Sequence, residues 1–269
     1  MVVKVSKPEI NVREKLNELA PQTLTGDEYI LNEHSHNGEY IKNGIAMFID
    51  ARQPACFPHA SGGGSGQTVF NIDGYFSDFV NTNVTKSTDG NGSFAFAADG
   101  DLGIGSRGSY NMYSSTCEAW FKSTGSPLNG YHVIMQKNGG YSGAPAYGIR
   151  AGAAGSSGSN IAWFAHDAGA SAVKSAGDFT SVDQRWYHLA SVVDADSGIL
   201  YAYLNGELVD TDATLGNGGS FVSDQGFNIG TGDGRRTNGR IALARVYNRP
   251  LSNGEIRYNY LKSIKRIFG

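Results

Sequence analysis

Several residue groups in this 269-residue sequence have types and spacings that could do chemistry. Gly103-Ile-Gly-Ser-Arg-Gly108 has the G-x-G-x-x-G spacing that lets backbone amides approach a pyrophosphate. That chemistry also needs a helix N-terminus after the turn, and Ser109–Phe121 reads as loop and strand, so a plain glycine-rich loop is expected. Asp194-Ala-Asp196-Ser-Gly198 spaces two carboxylates like half of a calcium loop, without the acidic ligands that should follow. A hairpin turn whose aspartates bond their own backbone is the favoured reading. Ca2+ at Asp194 and Asp196 is the lesser option, with Asp224 and Asp233 as further carboxylates. Glu33-His34-Ser-His36 would place two imidazoles on one face of a strand, but no third ligand accompanies them, so incidental histidines in a polar tether are expected. Sugar binding needs aromatic faces beside amides and carboxylates in a loop-lined groove. Tyr110, Tyr113 and Tyr141 lie in glycine-rich segments and are the candidates, whereas Trp120, Trp163 and Trp186 lie in strand-like runs and read as core. His188 follows Trp186-Tyr187 and reads as structural, and no G-x-S-x-G elbow groups serine, histidine and aspartate. No catalytic residue and no resident cofactor are expected.

The elements that must position these groups follow from composition and pattern. The chain has 37 glycines and only 17% charged residues, with 40% hydrophobic and 11% aromatic. An average domain has about 7% glycine and about 25% charge, so this balance fits a loop-rich β protein and not a disordered chain. The glycines have no three-residue period, which excludes collagen. Short strands are expected at Ile45–Ala51, Ser93–Ala98, Thr116–Lys122 and Tyr131–Lys137, and then at Asn160–His166, Arg185–Asp194, Ile199–Asn205 and Arg240–Tyr247. Asn205-Gly206 between apolar runs predicts a type I′ hairpin.

Two helices are expected at the ends. Ser6 and Glu9 form a capping box, and Val12, Leu16 and Leu19 make one apolar stripe. A helix this short needs a partner surface, either the body of this chain or another protein. Residues 21–44 read as a polar tether, with turn signals at Asn37-Gly38 and Asn43-Gly44. Ser252 and Glu255 make a second capping box, opening a helix over 252–264 with Ile256, Tyr260, Leu261 and Ile264 on the packing face and its basic residues mostly elsewhere.

The net charge of −3 argues against nucleic-acid affinity. It divides into +1 over residues 1–20, +3 over 251–269 and −7 between them. Cys56 and Cys117 are the two cysteines, and both are expected as free thiols. No stretch of 18 apolar residues and no secretory h-region occurs, so neither membrane insertion nor secretion is expected.

Gly44-Ile-Ala-Met-Phe-Ile-Asp-Ala-Arg-Gln-Pro-Ala-Cys-Phe-Pro58 resembles the opening strand of LamG-like, concanavalin A-like jelly-roll domains of tailed-bacteriophage virion proteins. Gly92-Ser-Phe-Ala-Phe and Glu118-Ala-Trp-Phe resemble the strands that follow. The most specific features are Arg185-Trp-Tyr-His-Leu-Ala with Tyr201-Ala-Tyr-Leu-Asn-Gly-Glu-Leu, then Arg240-Ile-Ala-Leu-Ala-Arg-Val-Tyr-Asn-Arg-Pro-Leu-Ser. The leader Lys7-Pro-Glu-Ile-Asn-Val-Arg-Glu-Lys-Leu is similar to N-terminal segments of marine phage virion proteins.

The resemblance implies an all-β concanavalin A-like jelly-roll sandwich over 45–269, with an N-terminal arm over 1–20 and a C-terminal helix. It implies a virion-surface structural protein made in the host cytoplasm, a capsid decoration or knob subunit and a homo-oligomer. Ile10, Val12, Leu16 and Leu19 would dock it on other virion proteins such as the major capsid protein. The alternative is a tail-fibre or baseplate module that recognises host-surface glycans. Glucanases of this fold carry paired carboxylates as E-x-D-x-x-E, and that pattern is absent here, so the expectation is a non-enzyme. Related LamG modules sometimes hold Ca2+ on loops, which keeps Asp194 and Asp196 as an option.

Overall fold

The computed structural model describes residues 40–58, 65–97, 99–105, 108–125, 132–137, 146–151, 161–166, 171–176, 184–213, 215, 221, 224–232 and 234–269. The strands are, in chain order, β1 (Ile45–Asp50), β2 (Thr68–Val69), β3 (Phe79–Thr82), β4 (Thr85–Ser87), β5 (Ser93–Phe96) and β6 (Asp101–Ile104). There follow β7 (Ser115–Ser123), β8 (His132–Lys137), β9 (Ala146–Ala151), β10 (Ile161–His166), β11 (Ser171–Ala176) and β12 (Tyr187–Asp194). The last are β13 (Ile199–Leu204), β14 (Glu207–Asp212), β15 (Phe227–Ile229), β16 (Thr231–Gly232), β17 (Arg235–Arg236) and β18 (Gly239–Tyr247), before helix α1 (Asn253–Phe268).

The strands form two antiparallel sheets. The first runs β14-β13-β12-β7-β18-β5-β4, with β1 also paired to β18. The second runs β11-β10-β9-β8-β15-β6-β3-β2, and β16-β17 is a separate small hairpin. The expected all-β jelly-roll sandwich with a C-terminal helix is what the chain builds. Phe94, Phe121, Leu189 and Ile241 from the first sheet and Phe79, Ile134, Ile149 and Phe227 from the second belong to one buried core. Sheets of this kind bury alternate residues when one face meets water. β7 and β18 are instead buried almost throughout, because α1 covers the outer face of the first sheet.

Local chemistry explains the best-anticipated elements. Asn205 and Gly206 take φ of 52° and 79°, the conformation a type I′ turn requires, and a side chain at Gly206 would strike the Tyr260 ring on α1. The Ser252 side chain accepts from Glu255 N, while the Glu255 carboxylate accepts from Ser252 N, completing the capping box. Leu251 and Ile256 pack in one apolar cluster, the staple beside that box. The helix runs four residues past its expected end, to Phe268.

Its buried face also differs from the expected one. Ile256, Tyr260 and Ile264 pack as expected, but Leu261 is exposed, and Asn259, Ser263, Arg266 and Ile267 are buried beside them. Hydropathy misses Asn259, Ser263 and Arg266 because these polar side chains find their hydrogen-bond partners inside the body. Arg266, one of the basic residues expected elsewhere, lies inside as well.

Tyr40 and Ile41 are buried against the body, although the sequence places them in the tether. Cys56 and Cys117 are free and buried, and burial pushes both thiols up, Cys56 to about 12. The N-terminal helix with Ile10, Val12, Leu16 and Leu19, and the His34/His36 pair, lie outside the described residues.

Candidate functional site

The outer face of the second sheet carries the most reactive-looking arrangement. Antiparallel pairing puts Gly148, Gln136, Asn228 and Gly103 directly opposite one another on β9, β8, β15 and β6, so they form one row across the sheet. Side chains two residues along a strand share a face, which adds Asp101 beside Gly103 and Arg150 beside Gly148. At Gly148 the strands approach so closely that a Cβ would strike Met135 O and Gln136, whereas at Gly103 neighbouring side chains take the room a side chain would need. A Cβ placed on Gly103 would lie 3.1 Å from both Asp101 Oδ2 and Asn228 Oδ1, so the acid and the amide converge over the glycine in the space a side chain would take. Arg150 donates through Nε and Nη2 to Gln136 Oε1, at 3.0 and 2.8 Å. The β16-β17 hairpin closes one side, with Gly232 so near Gln136 that no side chain would fit there.

The acid is the least satisfied member of this row. Asp101 Oδ1 is buried and has no hydrogen-bond partner among the described residues. Burial raises its carboxyl to about 6, and the Arg236 guanidinium on the hairpin offsets only part of that effect. A carboxylate held next to an amide can accept from a hydroxyl that arrives with a ligand once the side chain turns its unpartnered oxygen outward. The unmet acceptor gives such a ligand a large return, because leaving it unmade costs about 1–3 kcal/mol.

A second concentration of buried polar groups lies under α1. Glu118, His188 and Arg245 project from β7, β12 and β18, each at most 2% exposed. Asn259 Nδ2 donates to Glu118 Oε2 at 2.8 Å and to the Tyr247 hydroxyl, while its Oδ1 accepts from Ile41 N. Trp120 Nε1 donates to Ser263 Oγ. Burial raises Glu118 to about 7 against the pull of Arg245, and burial together with Arg245 lowers His188 to about 3. Neither ring nitrogen of His188 makes a hydrogen bond among the described residues, so this group clasps the helix rather than facing solvent.

The residues expected from sequence are placed as follows. Tyr110 is fully buried, its ring 4.5 Å from that of Phe76, and offers no face to a sugar; with Met112 it points inward to fill the core where the chain enters β7. Tyr113 is 52% exposed, and loss of hydration together with the nearby Asp196 carboxylate raises its phenol. Asp194 accepts from the backbone of Asp196 and Ser197 and from Ser197 Oγ, the geometry of a self-bonded turn. Tyr113 thus meets Asp196, joining two motifs that the sequence keeps 83 residues apart. Tyr141 lies outside the described residues. Trp120 is core, Trp186 donates to Asp89, and the side chain of Trp163 is not among those described. Among the described residues no three His, Cys, Asp or Glu side chains group as metal ligands. Gly103 belongs to the G-x-G-x-x-G run, yet it ends in a strand and its importance is the space it leaves.

The family model of the concanavalin A-like lectin/glucanases superfamily matches residues 97–257, well over half of the sequence. The chain belongs to that superfamily. This lectin-like domain is similar in fold to the receptor-binding domain of botulinum neurotoxin C/D mosaic serotype, at TM-score 0.60 and 15% identity, over 82% of this chain and 52% of the other. The binding domain of Paraclostridial Mosquitocidal Protein 1 matches at TM-score 0.58 and 12% identity, over 81% and 52%. Domain 4 of AbnA, an extracellular arabinanase from Geobacillus stearothermophilus solved with arabinotriose, matches at TM-score 0.56 and 11% identity, over 79% and 96%. The chain spans about half the length of the toxin binding domains. No curated protein matches it.

Proposed function

We propose that this chain is a non-catalytic, carbohydrate-binding module whose sugar site is the Asp101, Asn228, Gln136 and Arg150 row on the second sheet. The observation that carries this reading is the buried Asp101 oxygen with no partner, next to Asn228 and over Gly103. Membership in a lectin and glucanase superfamily supports it, as does the arabinotriose in the AbnA domain's structure. The absence of E-x-D-x-x-E, and the position of the half-buried Asp101 and the buried Glu118 on opposite sheets, support binding without hydrolysis.

Screening on a glycan array should return sugar ligands. Asp101→Ala should weaken them at least tenfold, or about 1.4 kcal/mol, by removing the acceptor. Because Asp101 accepts fully only when ionised, affinity should fall as pH drops through about 6. No array signal, or unchanged affinity in Asp101→Ala, would remove the site.

The finer reading is that this module is displayed on a virion, as a capsid decoration subunit held by residues 1–20, with a tail-fibre or baseplate position as the alternative. The similarity of Lys7–Leu16 to virion leaders supports the docking role. Deleting residues 1–20 should abolish incorporation into particles while the body keeps its melting temperature. Unchanged occupancy on purified particles would refute it, and label on tails alone would favour the alternative.

A further inference from the structure

The outer face of the first sheet, opposite the Asp101 row, holds a separate cavity. It lies between α1 and strands β1 and β18, has a volume of about 180 Å³ and is lined by Tyr40, Phe48 and Arg245. That is room for about six waters at their liquid volume. The Arg245 guanidinium carbon sits 5.1 Å from the Tyr40 ring centre and 5.2 Å from that of Phe48. Arg245 is 2% exposed, and neither its Nε nor its Nη1 makes a hydrogen bond among the described residues. Its neighbouring carboxylate, Glu118, stands 3.5 Å from Nη1 and already accepts from Asn259. Burial holds Glu118 partly protonated near neutral pH, so the positive charge of Arg245 is incompletely balanced.

The rest of the lining has the same sign. Arg52, Lys262 and Lys265 also border the cavity, all exposed and without a carboxylate partner among the described residues. The acid in the wall, Asp50, is fully engaged by Arg266, which binds it through Nε and Nη2. A cavity with an underused buried guanidinium, additional cations and no available acid favours an anion. Cations contributed by β18, by α1 and by the chain after β1 suit a tetrahedral dianion better than a flat, singly charged carboxylate.

We propose that this cavity binds a sulfate or phosphate group carried on a sugar-sized molecule, with Arg245, Lys262 and Lys265 as its charge partners. The oxyanion fills part of the volume, and the ring that bears it packs against Tyr40. The site does not depend on the Asp101 row, since the two occupy the outer faces of different sheets.

Calorimetry of the full chain at low salt, with glucose, glucose 6-sulfate, glucose 6-phosphate and inorganic phosphate, tests the proposal. Both charged sugars should bind at least about tenfold tighter than glucose, and the tighter of the two identifies the group. Lys262→Gln combined with Lys265→Gln should weaken them by about tenfold while leaving the melting temperature of the empty protein in place. Asp101→Ala should leave this binding untouched, which separates it from the sugar site. Arg245→Met should abolish it; should that variant fail to fold, the exposed lysine pair still decides. Charged sugars binding no tighter than glucose, or equally well to the lysine variant, would overturn the proposal.

Discussion

Arg266→Met is expected to lower the free energy of unfolding by about 3–5 kcal/mol, the scale for breaking a buried ion pair from one side. Arg266 meets Asp50 through Nε and Nη2, and the same guanidinium donates to the carbonyls of Gly90, Gly92 and Ala242. Removing it strands the buried Asp50 carboxylate and takes a donor from the carbonyls of three buried residues. Urea unfolding followed by tryptophan fluorescence measures the loss. The double change Asp50→Leu with Arg266→Met should recover much of it, because an apolar pair carries no stranded charge. A loss below about 1 kcal/mol in the single variant would mean that this pair does not hold α1 to the sheet.

His188→Leu should flatten the acid limb of the stability curve. The imidazole titrates at about 3 in the fold, against its ordinary value near 6.5. Between those values the unfolded chain binds a proton that the folded chain refuses, so this residue makes stability fall as pH drops from 6.5 towards 3. Glu118 acts in the opposite sense. Its carboxyl is raised to about 7 from an ordinary 4.5, so from pH 7 down to 4.5 the fold holds the extra proton and gains stability. The two effects offset each other above pH 4.5, and below it His188 acts alone.

Leucine at 188 removes an imidazole whose ring nitrogens make no hydrogen bond among the described residues, so the variant should be close to neutral at pH 7. By pH 4 it should gain about 3 kcal/mol on the parent. Chemical denaturation at a series of pH values reads this directly. Parallel limbs for parent and variant would show that the buried ring is already protonated.

How much of this was readable beforehand depends on how local the cause is. The Asn205-Gly206 turn and the Ser252/Glu255 box are written in residues three or fewer apart, and both form as expected. The strands β7, β12, β13 and β18 are legible because each concentrates apolar, aromatic and β-branched residues between turn signals. β6, β9 and β15 are not, since β6 and β15 are only four and three residues long and Gly148 and Arg150 break the pattern of Ala146-Tyr-Gly-Ile-Arg-Ala.

The Asp101 row is not written in any local stretch of sequence. Its members come from β6, β8, β9 and β15, and only sheet register brings them together. Alternation in Asp101-Leu-Gly-Ile and Phe227-Asn-Ile was the available signal, because it places one polar side chain between two that enter the core. Tyr110 failed as a candidate because a glycine-rich neighbourhood says nothing about which way a ring turns. The inward face of α1 is legible in Ile256, Tyr260 and Ile264 but not in Asn259 and Arg266, which hydropathy assigns to water whereas Glu118 and Asp50 await them inside.

The pairing of β1 with β18 governs how the body responds to being pulled. Ile45 opens β1 and lies opposite Tyr247, which closes β18, so the chain enters and leaves the sandwich at the same end of one antiparallel pair. Tension applied through the two flanking segments would load those hydrogen bonds one after another, as a zipper opens, and not all together in shear. The first obstacle to peeling is the fastening at that end, where Asn259 accepts from Ile41 and Tyr247 donates its hydroxyl proton to the carbonyl of Ile41. Resistance at that end therefore begins with Ile41, Tyr247 and Asn259, and a body tethered there would start to peel only once those three part.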